Sequence, residues 1–226
     1  LQGLHRRGDS VTVGVEWLPG LVQLRLDAWL RGELPEADLL EAVAWHEHWG
    51  HDPTHYMPIF SWARAHKVSI KALGPPPALA RRVGRVGVSG LTAAERSSLP
   101  TLDSGNAAHR SFFDAMMRRV AHAHGGHGHG HGHGHGDRQG ESLMDRYYLA
   151  QLVRDEFMAS QVASLVEASG EGVVVVLAGR GHVDHGLGIP ERVRSSVGAP
   201  SPAGPLIRWP SWALTWPSCT GGNEAG

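Results

Sequence analysis

Residues 173–178 read Val-Val-Val-Val-Leu-Ala, with Gly170 and Gly172 before them and Gly179-Arg180-Gly181-His182 directly after. A short, wholly aliphatic run between glycine turns predicts a strand apolar on both faces, as in a parallel sheet covered by helices. The chain upstream supports that reading. Ser142 and Asp145 have capping-box spacing, and the helical pattern behind them runs to Ala168. Helix, glycine turn, aliphatic strand and glycine-rich loop is α/β grammar.

Two more strands have the same character. Val11, Val13 and Val15 alternate and lead to Glu16 and Trp17, which predicts a strand ending at a carboxylate. Val68, Ile70 and Ala72 alternate up to the stop at Pro75-Pro76-Pro77. Between the strands, helical spacing predicts helices over 21–30, 37–49, 53–66 and 109–120, and Thr92 with Glu95 caps a short one. The fold class is therefore α/β, a mixed or parallel sheet of three legible strands flanked by helices.

Two segments depart from this pattern. Seven of the sixteen histidines fall between His122 and His135, mostly alternating with glycine. We read 121–140 as a disordered His-Gly insertion, because glycine at every second position makes ordering costly and no apolar residue offsets that cost. Residues 195–226 carry five prolines and Trp209, Trp212 and Trp216 without periodicity, which predicts an irregular tail. The expected division is a domain over 1–194 and a tail over 195–226.

Composition narrows the function classes. A net charge of −1 provides no basic field for nucleic acid. No apolar run approaches the ~20 residues of a membrane span, and the first ten residues carry no signal-peptide pattern. The single Cys219 excludes an intrachain disulfide and a cysteine-based zinc site.

The chemistry-bearing candidates gather at strand ends. Ligands of open α/β sheets collect at the carboxyl edge. Glu16 and His182 lie there, converging if their strands are parallel. A carboxylate and an imidazole so placed can bind a metal, run acid–base chemistry, or simply tie two loops together. Gln151 and Asp155 are four apart on the long helix and share a face. Tyr56 follows His46, His48, His51 and His55; tyrosine and histidine both serve as haem axial ligands, and a packed tyrosine is the plainer reading. His127, His129, His131, His133 and His135 could chelate zinc, nickel or copper, or form a linker without a selected role. Gly179-Arg180-Gly181-His182 is not a nucleotide loop, since it lacks the Lys-Ser/Thr and the third glycine.

Four ordered blocks give the chain a family resemblance. They are Val13-Gly14-Val15-Glu16 with Gln23, Leu26 and Leu30; Trp45, Trp49, Tyr56, Pro58, Ile59 and Ala63; Ala150-Gln151 with Asp155, Met158 and Ala159; and Ala178-Gly179-Arg180-Gly181-His182-Val183 running on to Gly188-Ile189-Pro190-Glu191-Arg192. In this order they resemble the ChaN-like haem-binding uptake family of the Tiki/TraB and erythromycin-esterase-like group, over roughly 1–194. The resemblance implies an α/β fold and haem binding connected with haem or iron uptake or handling. It implies cofactor-binding roles for Glu16, Gln151, Asp155, Gly179 and His182, and offers Tyr56 and His185 as haem ligands. Family members begin with a further strand ending Gly-Glu-x-His-Asp, so this chain is expected to start after that first strand and first Gly-x-x-His motif.

Three functions follow as expectations. The first is a haem-binding domain, not itself an enzyme. The second is a metal-dependent hydrolase of the wider superfamily, with Glu16 as ligand or base. The third is a degenerate domain that only captures divalent metal through its His-Gly tract. A homodimer is an open assembly. Family analogy points to a plastid in a plant or alga and to the membrane periphery in a bacterium.

Overall fold

The computed structural model describes residues 1–123 and 141–197. The His-Gly histidines 127, 129, 131, 133 and 135 and nearly all of the expected tail lie outside the described residues. In chain order the elements are α1 (Gln2–Arg6), β1 (Val11–Pro19), α2 (Gln23–Leu30), α3 (Leu39–Ala42), α4 (Trp45–His48), α5 (Met57–Ala65), β2 (Ser69–Gly74), α6 (Pro77–Val86), α7 (Ala93–Ser97), α8 (Ala107–Ala123), α9 (Leu143–Ser169), β3 (Val173–Leu177), α10 (Arg180–Val183) and α11 (Ile189–Ser196). Short 3-10 turns join several of them.

The described strands form one parallel sheet in the order β2-β1-β3. Val13 of β1 faces Ile70 on one side and Val175 on the other. Alternation along the strands sends side chains to two cores. Val11, Val13, Val15 and Trp17, with Ile70, Ala72, Val175 and Leu177, pack under α2–α5. Leu73, Val174 and Val176 pack on the opposite face under Met158, Ala159 and Val162 of α9 and Ile189 and Val193 of α11. Glu16 falls between Val15 and Trp17, so it belongs to the α9 face at the carboxyl end of the central strand.

The helix read over 37–49 is in fact broken. Ala44 takes a left-handed conformation (φ 47°) between α3 and α4. Val43 and Trp45 are both fully buried, yet residues two apart on a continuous helix point about 200° apart. The break turns both into the same core, where Trp45 Nε1 donates to the His51 carbonyl at 2.7 Å.

Helix α6 has no counterpart in the sequence analysis, where Pro75-Pro76-Pro77 only ends the preceding strand. A helix's first turn tolerates proline, Ala80 and Val83, three apart, are buried, and Val83 packs with Val153 of α9. Strand β1 also runs to Pro19, past the expected end at Glu16, with a register irregularity against β2 between Val15 and Pro19. Strand β3 is half-buried at every position, not fully buried. Among the described residues it pairs on one side only, with β1.

Both capping boxes form. Thr92 and Glu95 close one on α7, and Ser142 and Asp145 close the other on α9.

Candidate functional site

Helix α9 carries a buried stripe of Tyr148, Leu152, Asp155, Ala159 and Val162, at alternating steps of four and three, whose first part packs with Phe113 of α8 and whose last part packs on the sheet. A carboxylate in the middle of that stripe is costly unless it is paired. Asp155 is fully buried, and two imidazoles attend it. His182 Nδ1 lies 2.5 Å from Oδ1, and His109 Nε2 lies 3.2 Å from Oδ2. His109 Nδ1 is 3.2 Å from the Tyr148 hydroxyl.

The network fixes the protons. Asp155 as carboxylate only accepts, so His182 carries its proton on Nδ1, and the nearby Asp155 charge favours the His109 proton on Nε2, although that nitrogen lies off hydrogen-bond geometry to Oδ2. The bare His109 Nδ1 then accepts from Tyr148. Gln151 Nε2, 3.0 Å from His182 Nδ1, meets a nitrogen that is already donating; its protons go instead to the Gly181 carbonyl at 3.0 Å and toward Asp155 Oδ2 at 3.5 Å. His182 Nε2 is left facing Glu16 Oε2 at 3.7 Å.

Glu16 is held from the other strand end. Its Oε2 accepts the Gly179 N–H at 2.8 Å, and a Cβ at Gly179 would come 3.2 Å from Oε1. Gly188 takes φ 68°, and a Cβ there would press on the His182 carbonyl. Glycine at these two points lets the loops after β3 close over Glu16 and His182.

Burial pushes Asp155 upward, but the His109 and His182 imidazoles against it outweigh that and hold the carboxyl below its ordinary range. Burial works against charge on His182, yet the Asp155 hydrogen bond and charge, with Glu16 behind, hold the imidazole above its ordinary value.

Beside this network opens a cleft of about 600 Å³, sharing Glu16 with it. Its floor is Glu16, Trp17, Pro19, Gly74 and Pro75 at the carboxyl ends of β1 and β2, and His48 and Trp49 of the α4 region form one wall. Arg81 and Arg85 of α6, with Leu143, Tyr147 and Arg154 of α9, form the other. The helices approach closely there, since a Cβ on Gly84 would lie 3.6 Å from that of Ala150.

Glu16, Gln151, Asp155, Gly179 and His182 are thus brought together at one sheet edge. Tyr56 stands apart, half-buried among Trp17, Trp45 and Trp49 with ring centroids at 4.9, 5.1 and 6.2 Å, and it does not line the cleft. His185 sits edge-on to Phe112 at 5.5 Å, in a left-handed conformation. Arg192, at the end of the fourth sequence block, is structural: buried, it donates to Glu156 at 2.7 Å and to the Gly188 and Asp103 carbonyls. Among the described residues no group of three or more His, Cys, Asp or Glu side chains is placed to hold a metal ion. No described helix is long and apolar enough to cross a membrane.

Sequence reasoning missed His109, Tyr148 and the cleft arginines. His109 lies four residues before the buried Phe113, which puts it on the apolar face of α8 and was the available signal. Arg81 and Arg85 had none, since their helix was not recognised, and Arg154 lies on the recognised α9 but gains its meaning only opposite α6.

The sequence matches the family described as haem-binding uptake, Tiki superfamily, ChaN over residues 1–193. No curated protein matches it. Among solved structures the fold resembles ChaN of Campylobacter jejuni, described with cofacial haem binding, at a TM-score of 0.57 and 16% identity. That match covers 85% of this chain and 66% of the other, so the chain spans just under two thirds of its solved relative.

Proposed function

The chain belongs to the haem-binding uptake, ChaN family of the Tiki superfamily, and from that premise we propose that it binds haem in the cleft at the carboxyl ends of β1 and β2. The single observation that carries this reading is the make-up of the cleft. It has a lining of Trp17, Trp49, Tyr147 and Leu143, and cationic side chains at one side. Such sites are mostly apolar with a few placed polar groups, and aromatic walls suit a flat macrocycle.

The residues present fit the group. The His48 imidazole and Tyr147 phenol both line the cleft, and both are side chains of the kind that ligate haem iron. Glu16 lies in the floor, and the His182–Asp155 pair lies behind it. Their part is to fix the strand-end loops and keep the Glu16 carboxylate oriented. When bound, haem would supply iron; the chain supplies an apolar enclosure, candidate axial donors and a rigid base. We place the protein in haem or iron uptake or handling, as a binding domain.

A haemin titration followed by absorbance tests this on two proteins: the full chain, and the same chain with 122–135 replaced by Gly/Ser. A saturable Soret shift of equal affinity in both is expected. A shift that disappears with the tract would place binding in the His-Gly segment, and the chain would then be a metal- or haem-capturing remnant of its family.

A further inference from the structure

Helix α6 carries Arg81, Arg82 and Arg85 and no acidic residue. Arg82 is matched by Glu95 at 3.3 Å. Arg81 and Arg85 have no salt bridge or hydrogen-bond partner among the described residues, and neither does Arg154 across the gap on α9. All three line the cleft, and all three are exposed at its rim. Like charges four apart on a helix repel, and Arg154 adds a third positive charge nearby. Against the three guanidiniums the cleft lining holds one carboxylate, Glu16, already engaged with Gly179 N–H and facing His182. His48 is the remaining titratable imidazole of the lining.

The cleft is therefore polarised. Its α4 side and floor present Trp17 and Trp49, and its α6–α9 side presents cations with open donor forks. Guanidinium forks are matched to carboxylates, which they bind bidentately. A ligand complementary to this arrangement is flat and apolar over most of its area and carries two carboxylates on one edge. Resting on the haem reading above, we propose that Arg81, Arg85 and Arg154 form a carboxylate-binding rim that takes the ligand by its two propionates. Arginine contact with the propionates then sets which edge of the macrocycle enters last. It also makes affinity fall with ionic strength, because the contacts are solvent-facing.

The test compares haemin with haemin dimethyl ester, which keeps ring and iron and lacks both carboxylates. Each is titrated into the full chain, Arg81→Ala/Arg85→Ala, Arg154→Ala, the triple variant and the control Arg25→Ala, an exposed arginine away from the cleft. Since the rim residues are exposed, the variants should keep their fold, which circular-dichroism melts check. The unaltered chain should bind the ester at least tenfold more weakly than haemin, and each lost arginine should weaken haemin by roughly threefold to tenfold. In the triple variant the two ligands should bind alike, with Arg25→Ala unchanged. Equal binding of haemin and ester by the unaltered chain, or full haemin affinity in the triple variant, overturns the rim and leaves the haem reading standing. Failure of the unaltered chain to bind either ligand overturns both.

Discussion

His182 and Asp155, 27 positions apart, are joined by Nδ1 and Oδ1 at 2.5 Å, at the point where the last strand's loop crosses the buried face of α9. The carboxylate is fully buried, with His109 at its other oxygen. The three groups form one unit in which each polar atom depends on the others, so removing any one strands a charge or a donor in the core.

Asp155→Ala should cost about 3–5 kcal/mol of unfolding free energy, since both imidazoles lose the carboxylate they were paired with. His182→Ala should cost a similar amount, leaving the buried carboxylate half-satisfied. In a double-mutant cycle the two losses should be far from additive. Urea unfolding of the four proteins reads this directly, and additive losses would show that the pair is not a unit.

The pair also sets a pH window. The folded His182 holds its proton more tightly than an unfolded histidine does, so its contribution is full below about pH 6.5 and is lost as pH rises through the raised folded value. The depressed Asp155 works in the opposite sense: its contribution is full above about pH 4 and is lost on acidification through the lowered folded value. Stability measured by denaturant should peak between these limits. In Asp155→Asn the decline on the alkaline side should flatten, because the imidazole then has no anion there to hold its proton.

Gly188→Ala tests the loop closure. The residue sits at φ 68°, and the new methyl group would press on the His182 carbonyl. A loss of about 1–3 kcal/mol is expected from backbone strain, together with a changed His182 imidazole signal by NMR. An unchanged imidazole signal would separate the loop from the network.

Core and surface should respond differently on the α2–α5 face. Trp45→Ala empties a fully buried site and removes the bond to the His51 carbonyl, for about 3–5 kcal/mol. Leu24→Ala, at a residue 83% exposed, should stay within about 0.5 kcal/mol. Thermal melts of the two variants give the comparison.

The aliphatic run at 173–178 and the alternating valines at 11–15 announced their strands because strand periodicity is local. Sequence alone leaves the sheet mixed or parallel, because pairing direction depends on contacts between distant segments; the parallel β1–β3 pairing that brings Glu16 to His182 comes from the structure. Gln151 and Asp155 were legible as a shared helix face, but the full burial of Asp155 was not. The break at Ala44 was not legible, because Val43 and Trp45 each fit a helix by themselves and only the common core forbids it. The cleft arginines were hidden for another reason. Their meaning lies in α6 packing on α9, a contact between residues about 65 positions apart that no window of sequence contains.

The two walls of the cleft come from different crossovers. His48 and Trp49 precede β2, whereas Arg85 and Tyr147 follow it. A molecule gripped between them acts as a clasp across the chain's two halves, which otherwise meet mainly through the sheet. Occupancy should then protect the amides of α4 and α6 from exchange together, though they share no hydrogen bond. At a ligand concentration a hundred times its dissociation constant, the whole fold gains about 2.7 kcal/mol. A chain of this kind would report its cargo through its own resistance to unfolding.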